Sequence, residues 1–259
     1  MTSPATQQKF GFKSGRNGAH ASRTMMLAEI IELFKGRPAD ATPEQYQQDI
    51  VSFNVLHKPT EKARQLTWRH LLDLYGMDTS IPLFRVFRRL WDSDDQAHAM
   101  LACQMGLARD PLLRMSQDKI LALEPGQLLS REEMERMFSD LCPDRFSPAT
   151  LKSIAQNVNG TWTKAGYLKG RTKKLRTVPV VRPVNVVFAL FLGYLQGATG
   201  NRLFSTEWMK VLGCHHDRLL ELARFASHAG LITFKHSSEV VEITFTGYLT
   251  KEEESWLYE

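Results

Sequence analysis

The sequence predicts a mainly α-helical protein with short β hairpins: a helical, helix-turn-helix-like N-terminal domain followed by a winged-helix-like C-terminal half. Three observations lead there. Apolar residues recur at helical spacing along most of the chain, as in Leu83, Phe84, Phe87, Leu90 and Trp91. Helix start and stop signals punctuate them at short intervals, with Thr42-Pro43, Thr60, Asp110-Pro111, Ser130 and Ser147-Pro148 opening and Gly36, Gly76 and Gly230 closing. Clear β patterning is confined to residues 175–181 and 231–245.

The elements follow in order. Residues 1–21 are polar and rich in Gly and Ser, and with Lys9, Lys13, Arg16 and Arg23 no acid precedes Glu29. They are expected to form a mobile basic arm, which would either reach along a nucleic-acid backbone or stay a disordered terminus. Met26, Ile30, Leu33 and Phe34 predict a helix over 23–35. Thr42 and Gln45 form a capping box for a second helix, to about residue 53, and Thr60 caps a third, to Tyr75. In that third helix Trp68, Leu71, Leu72 and Tyr75 face inward, while Lys62, Arg64 and Arg69 occupy other faces. Three short helices outline a helix-turn-helix, and both a recognition role and a plain core role suit the third. Over 79–92, Arg85, Arg88 and Arg89 share one face. That stripe would contact phosphate or pair with Asp92, Asp94 and Asp95. A helix over 96–109 and a new start at Asp110-Pro111 follow, and residues 120–130, with Pro125-Gly126 between two apolar pairs, are expected to be either the boundary between domains 22–125 and 126–259 or a short strand leading into a new unit.

The C-terminal half opens with a capping box at Ser130 and Glu133, and that helix runs to about residue 141, before Pro143. Ser147-Pro148 caps the next helix, with Leu151, Ile154, Ala155 and Val158 on one side and Lys152 and Gln156 on others. The chain then carries Lys164, Lys169, Arg171, Lys173, Lys174 and Arg176 in close succession. No Asp or Glu occurs from residue 145 to 206, and ten Lys and Arg give this interval a formal +10 in a chain of +5. Such segregation fits cations that track a phosphate backbone, where neutralisation releases counterions; the other reading is a solvated basic loop. Residues 175–181, with Pro179, read as an edge strand.

Helix, helix, basic turn and extended piece are the order of a winged helix. The nucleic-acid-binding candidates are therefore Arg145, Lys152, Trp162, Lys164, Lys169, Arg171, Lys173, Lys174 and Arg176. Arg16, Arg23, Lys62, Arg64, Arg85, Arg88 and Arg89 are secondary candidates. Trp162 would stack on a base or sit in the core. Residues 184–195 are strongly apolar but fall short of the roughly 20 residues a membrane helix needs, so a core helix is expected. A similar order then recurs: helices over 205–212 and 215–229, and strands over 231–234 and 240–245, with Lys235, His236 and Glu239 near the tip. The acidic tail reads as a short helix or a frayed end, which would compete for the basic surface or serve solubility.

Composition narrows the class. With 43% hydrophobic and 24% charged residues, the 259-residue chain suits a soluble globular protein with a sizeable core. Three scattered cysteines, Cys103, Cys142 and Cys214, suit a reducing cytoplasm, and no secretory signal is evident. Cys214-His215-His216 lacks a second ligand cluster, and neighbouring ligands diverge on a helix, so no metal is expected. No cofactor or catalytic motif is legible, which points away from an enzyme.

Several stretches carry a resemblance. They are KSGRNGAHASRTMMLAEI, IVSFNVLHKPTEKARQLTWRHLLDLYGMDTSIPLFRVFRRLW, LARDPLLRMS, RFSPATLKSIAQNVNGTWTKAGYLKGRTKKLR and NRLFSTEWMKVLG. In this order, over most of the chain, they resemble the BrxA family, the small A component of bacteriophage exclusion (BREX) defence systems. Family members have been likened to the RNA-binding antitermination factor NusB and described as DNA-binding; some carry an old inner-membrane label that the short apolar run argues against. The resemblance implies a cytoplasmic, non-enzymatic accessory of antiviral defence and supplies no catalytic residue. Where the family has Ser-Trp-Thr, this chain has Gly160-Thr161-Trp162-Thr163, a departure that leaves the Trp in place and puts a role for that Ser hydroxyl in doubt. The expected function is double-stranded DNA binding, chiefly through phosphates, with other components of the defence system as further partners. RNA binding and a protein scaffold are the alternatives.

Overall fold

In the computed structural model, which describes residues 2–237 and 240–259, the chain is mainly helical with two small antiparallel sheets. Its first half holds α1 (Pro4–Phe10), α2 (Leu27–Lys35), α3 (Pro43–Val51), α4 (Glu61–Tyr75), α5 (Pro82–Trp91), α6 (His98–Arg109), α7 (Pro111–Met115) and α8 (Gln117–Leu121). The second half holds β1 (Leu128–Leu129), α9 (Arg131–Leu141), α10 (Pro148–Lys164), β2 (Leu168–Lys169), β3 (Lys174–Arg176) and α11 (Pro183–Leu195). It ends with α12 (Glu207–Val211), α13 (His216–His228), β4 (Thr233–Ser237), β5 (Val240–Thr244) and α14 (Lys251–Ser255).

Local sequence explains most boundaries. Thr42, Thr60, Asp110, Ser130 and Ser147 each accept a backbone N–H of the first turn they cap. The Thr42 and Ser130 capping boxes form with both bonds present. The first sheet has the order β1-β3-β2, antiparallel throughout, and the second is the β4–β5 hairpin. Lys235 and His236 lie inside β4, opposite Glu242 and Val241, and not at the hairpin tip as expected. Glu239 lies outside the described residues.

α11 is apolar on every side and buried along nearly its whole length. It packs against α5 and α6 from the first half of the chain and α12 and α13 from the second. Its polar residue Asn185 is fully buried; Asn185 Nδ2 donates to Ala97 O at 3.1 Å, and Gln104 Nε2 donates to Asn185 O at 2.9 Å. The hydrophobic core consequently runs without a break from Phe10 to Tyr248. Of the two readings of residues 120–130, a short strand is present as β1, and α11 packs against elements on both sides of it in the chain.

The expected mobile arm is docked. α1 buries Phe10, Phe12 is 6% exposed, and Thr2 Oγ1 donates to Leu195 O at 2.9 Å. Further on, His20 is fully buried with Nδ1 2.9 Å from Asp110 Oδ2 and Nε2 2.8 Å from Thr161 Oγ1. Asp110 also accepts the His20 backbone N–H and, through Oδ1, the N–H groups of Leu112 and Leu113 that start α7. Gly18 permits this approach: a Cβ there would sit 2.1 Å from Asp110 Oδ1. Met26 takes a left-handed backbone conformation, with φ 51°, that a right-handed helix cannot contain, so α2 begins at Leu27 and not at Arg23. One buried carboxylate thus ties the N-terminal segment to α7 and, through His20, to α10.

Burial pushes the Asp110 carboxyl up, but charge and hydrogen bonds from His20, with the Leu113 amide, leave it below the ordinary carboxylate value. A depressed folded-state pKa contributes stability that is complete above the unfolded value and lost as pH falls through the folded one. Asp110→Asn should therefore destabilise by about 2–4 kcal/mol at neutral pH, and the gap to wild type should begin to close below about pH 4, measured by urea unfolding against pH.

Candidate nucleic-acid interface

α10 is the scaffold of the candidate site. Its inner side buries Ile154, Ala155, Val158 and Trp162. A second side is covered by the N-terminal segment: Asn157 Nδ2 donates to His20 O at 3.1 Å, and Lys164 Nζ reaches Thr24 Oγ1 at 3.4 Å. Ala149, Lys152 and Gln156, spaced three and four residues apart on one face, remain exposed.

Beside α10 stands the β2–β3 hairpin. Leu168 pairs with Arg176 and Lys169 with Leu175, and β3 is pinned on its other edge by β1. The loop between the strands turns at Gly170, whose φ of 104° suits glycine and where a Cβ would meet Lys173 O at 2.4 Å. Arg171 and Lys173 project from this loop and are exposed. Lys174 folds back, its Nζ donating to Gly170 O at 2.7 Å, and partial burial pulls its ammonium below the usual lysine pKa.

The structure sorts the candidate residues into two groups. Lys152, Lys164, Lys169, Arg171 and Lys173 are exposed, and among the described residues none of them, nor Lys174, pairs with a carboxylate. The others serve the fold. Trp162 is fully buried, with Nε1 donating to Ser116 Oγ at 2.8 Å and its ring edge-on to Tyr167, so it has no face to offer a base. Arg176 is 7% exposed, donates to the carbonyls of Ile120, Tyr167 and Thr177, and lies over the Tyr167 ring. Arg145 is half-buried over Phe146 and donates to Arg16 O at 2.6 Å and Asn17 Oδ1 at 2.8 Å.

The secondary candidates divide likewise. Arg16 and Arg23 are exposed on the segment that runs beside α10. Lys62 is exposed and Arg64 half-buried on α4, and neither lines the cleft beside the β2–β3 loop. Arg85 holds the acidic tail, donating to Glu253 Oε2 at 2.5 Å and Tyr248 O at 3.3 Å. Arg88, 1% exposed, pairs with Asp92 and donates to Arg37 O at 2.7 Å. Arg89 lies over the Tyr248 ring. The 85–89 stripe is thus fastened within the protein, and through Arg85 the tail is too.

Sequence reasoning missed one feature. A cleft of about 480 Å³ opens between the start of α9 (Ser130, Arg131, Glu132), the outer side of α10 (Gln156, Asn159, Gly160) and the hairpin loop (residues 171–174). Gln156 and Asn159 three residues apart were the available signal, once α10 is known to run to Lys164. Among the described residues no group of His, Cys, Asp or Glu is arranged to hold a metal ion. No helix there is long and apolar enough to cross a membrane. Compared with models of protein families and with curated proteins, the chain matches none.

Arg176 and Lys173 should behave oppositely on substitution. Arg176→Met should cost about 2–4 kcal/mol in denaturant unfolding, because three carbonyls lose their donor, whereas Lys173→Met should change stability by less than about 0.5 kcal/mol.

Proposed function

We propose that this protein binds double-stranded DNA through the phosphate backbone, with the outer face of α10 and the β2–β3 loop as the contact surface. The observation that carries this reading is the set of exposed cations without carboxylate partners: Lys152 on α10, Arg171 and Lys173 on the loop beside it, with Lys164 and Lys169 at the near ends of α10 and β2. Backbone binding needs long cationic side chains free to exchange counterions for phosphates, and these meet that requirement.

The order β1, α9, α10, β2, β3 with sheet order β1-β3-β2 supports a winged-helix reading, in which α10 enters a groove and the hairpin flanks it. Arg16 and Arg23 would extend the same surface. Gln156 is the exposed α10 side chain suited to a base edge, so sequence preference would be slight. The biological setting we propose is a non-enzymatic accessory role in phage defence, which rests on the sequence resemblance to the BrxA family.

Arg171→Glu with Lys173→Glu should weaken duplex binding at least tenfold, by similar factors on unrelated sequences, and lower the salt slope by about 1 per lost contact. Electrophoretic shifts across a salt series read both quantities. Unchanged affinity removes the surface assignment; tighter binding of duplex RNA than duplex DNA at one salt concentration removes the DNA reading.

A further inference from the structure

A separate pocket of about 230 Å³ forms where three distant parts of the chain meet: α1 with the residues that follow it, the α7–α8 junction, and the start of α12 with Gln196. It shares no residue with the cleft beside the hairpin loop. Phe12 and Trp208, both largely buried, give it an aromatic side, their ring centroids 5.8 Å apart. Most of the polar groups there are matched. Trp208 Nε1 donates to Gln196 Oε1 at 2.7 Å, Gln196 Nε2 to Gln7 Oε1 at 3.3 Å and Gln7 Nε2 to Thr2 O at 3.1 Å. Lys13 pairs with Asp73, and Glu207 with Lys210 at 2.6 Å.

Two groups are not matched. Gln117 is 8% exposed and lines the pocket, its side chain makes no hydrogen bond among the described residues, and its carboxamide is not sealed from the pocket. Arg114, three residues earlier, lines the same pocket. Its Nε donates to Leu107 O, and its Nη2 to Lys13 O and Ala108 O, so every hydrogen bond goes to a backbone carbonyl and Nη1 is unused. Burial pulls the Arg114 pKa below the usual value, with the charge of Asp110 opposing, so an anion at Nη1 would relieve a partly desolvated cation.

We infer that this pocket binds a small aromatic carboxylate, its ring against Phe12 and Trp208 and its carboxylate on Arg114 Nη1 and the Gln117 amide. Two free donors match the two oxygens of a carboxylate, and the bond from the guanidinium is of the stronger, charge-assisted kind. A phosphate dianion would call for more than one free cation. Ring contacts with Phe12 and Trp208 add to the area they bury. The pocket has the volume of about eight waters at roughly 30 Å³ each, which is below the roughly 300–1,000 Å³ of sites for drug-sized ligands, so the ligand is smaller than a nucleotide. Once bound, it would tie the N-terminal segment to α7, α8 and α12 and stabilise that docking by mass action.

The test titrates the full-length protein with benzoate, benzyl alcohol and acetate, followed by the nuclear magnetic resonance shifts of its amide and indole N–H groups. Benzoate carries both ring and carboxylate, and each of the other probes lacks one of them. Benzoate should bind about tenfold tighter than either, and should shift the Gln117 side-chain and Trp208 indole signals. Gln117→Leu, which keeps most of the side chain's bulk, should weaken benzoate binding by about fivefold. Equal affinity of the wild-type protein for benzoate and benzyl alcohol, or no binding of benzoate, overturns the inference. So do shifts confined to other parts of the protein, and so does unchanged benzoate affinity in folded Gln117→Leu. The comparison of probes is made on the wild-type protein and does not depend on the variant folding.

Discussion

A helix with no polar side has to be enclosed, and α11 is such a helix. Leaving Val186, Phe188, Leu190 and Phe191 in water would forfeit about 1.5–3 kcal/mol for each side chain. Neither half of the chain surrounds it alone. α5 and α6 cover it from the first half and α12 and α13 from the second, which merges the two halves into one core. Other placements follow from this. β1 becomes an edge of the hairpin sheet instead of a linker, and Thr2 reaches the carbonyl of Leu195 near the end of α11.

The same packing sorts the positive charges. Arginines are used where several carbonyl groups converge, because a planar guanidinium satisfies them at fixed angles: Arg88, Arg109, Arg114 and Arg176 all donate to two or more backbone oxygens. Burial pulls the Arg109 guanidinium down to about 10, against Asp73, which favours the charge, so it stays protonated at neutral pH. Lysines, whose ammonium is strongly hydrated, are mostly left outside. The acid-free interval therefore contributes less free charge to the surface than its composition suggests. Arg176 and Arg145 are committed to the fold, and Arg182 pairs with Asp94 at 2.8 Å.

Asn159 Oδ1 is one of several buried side-chain atoms without a hydrogen-bond partner among the described residues, with Arg88 Nε and Gln104 Oε1. Most buried polar atoms around α10 have partners: Thr161 accepts from Met25 and meets His20, Trp162 donates to Ser116, and Tyr167 donates to Val211.

Local chemistry was readable from the residues themselves. Helix starts at Thr42, Thr60, Ser130 and Ser147, the apolar character of 184–195 and the β4–β5 hairpin all rest on neighbours a few positions apart. The charge segregation was equally plain. The docking of the N-terminal segment was not, because His20 meets its partners 90 and 141 residues away. Nor was the length of α10, where Gly160 and the basic run that follows mask a helix sustained by the packing of Trp162. Sequence by itself determined most of the helical segments, though not α1, and where the cations are concentrated, since propensity, capping and charge are local. Only the tertiary structure decided which cations stay free, that the expected arm is anchored, and that α9, α10 and the hairpin loop meet around a cleft, since each of these depends on contacts between distant parts of the chain.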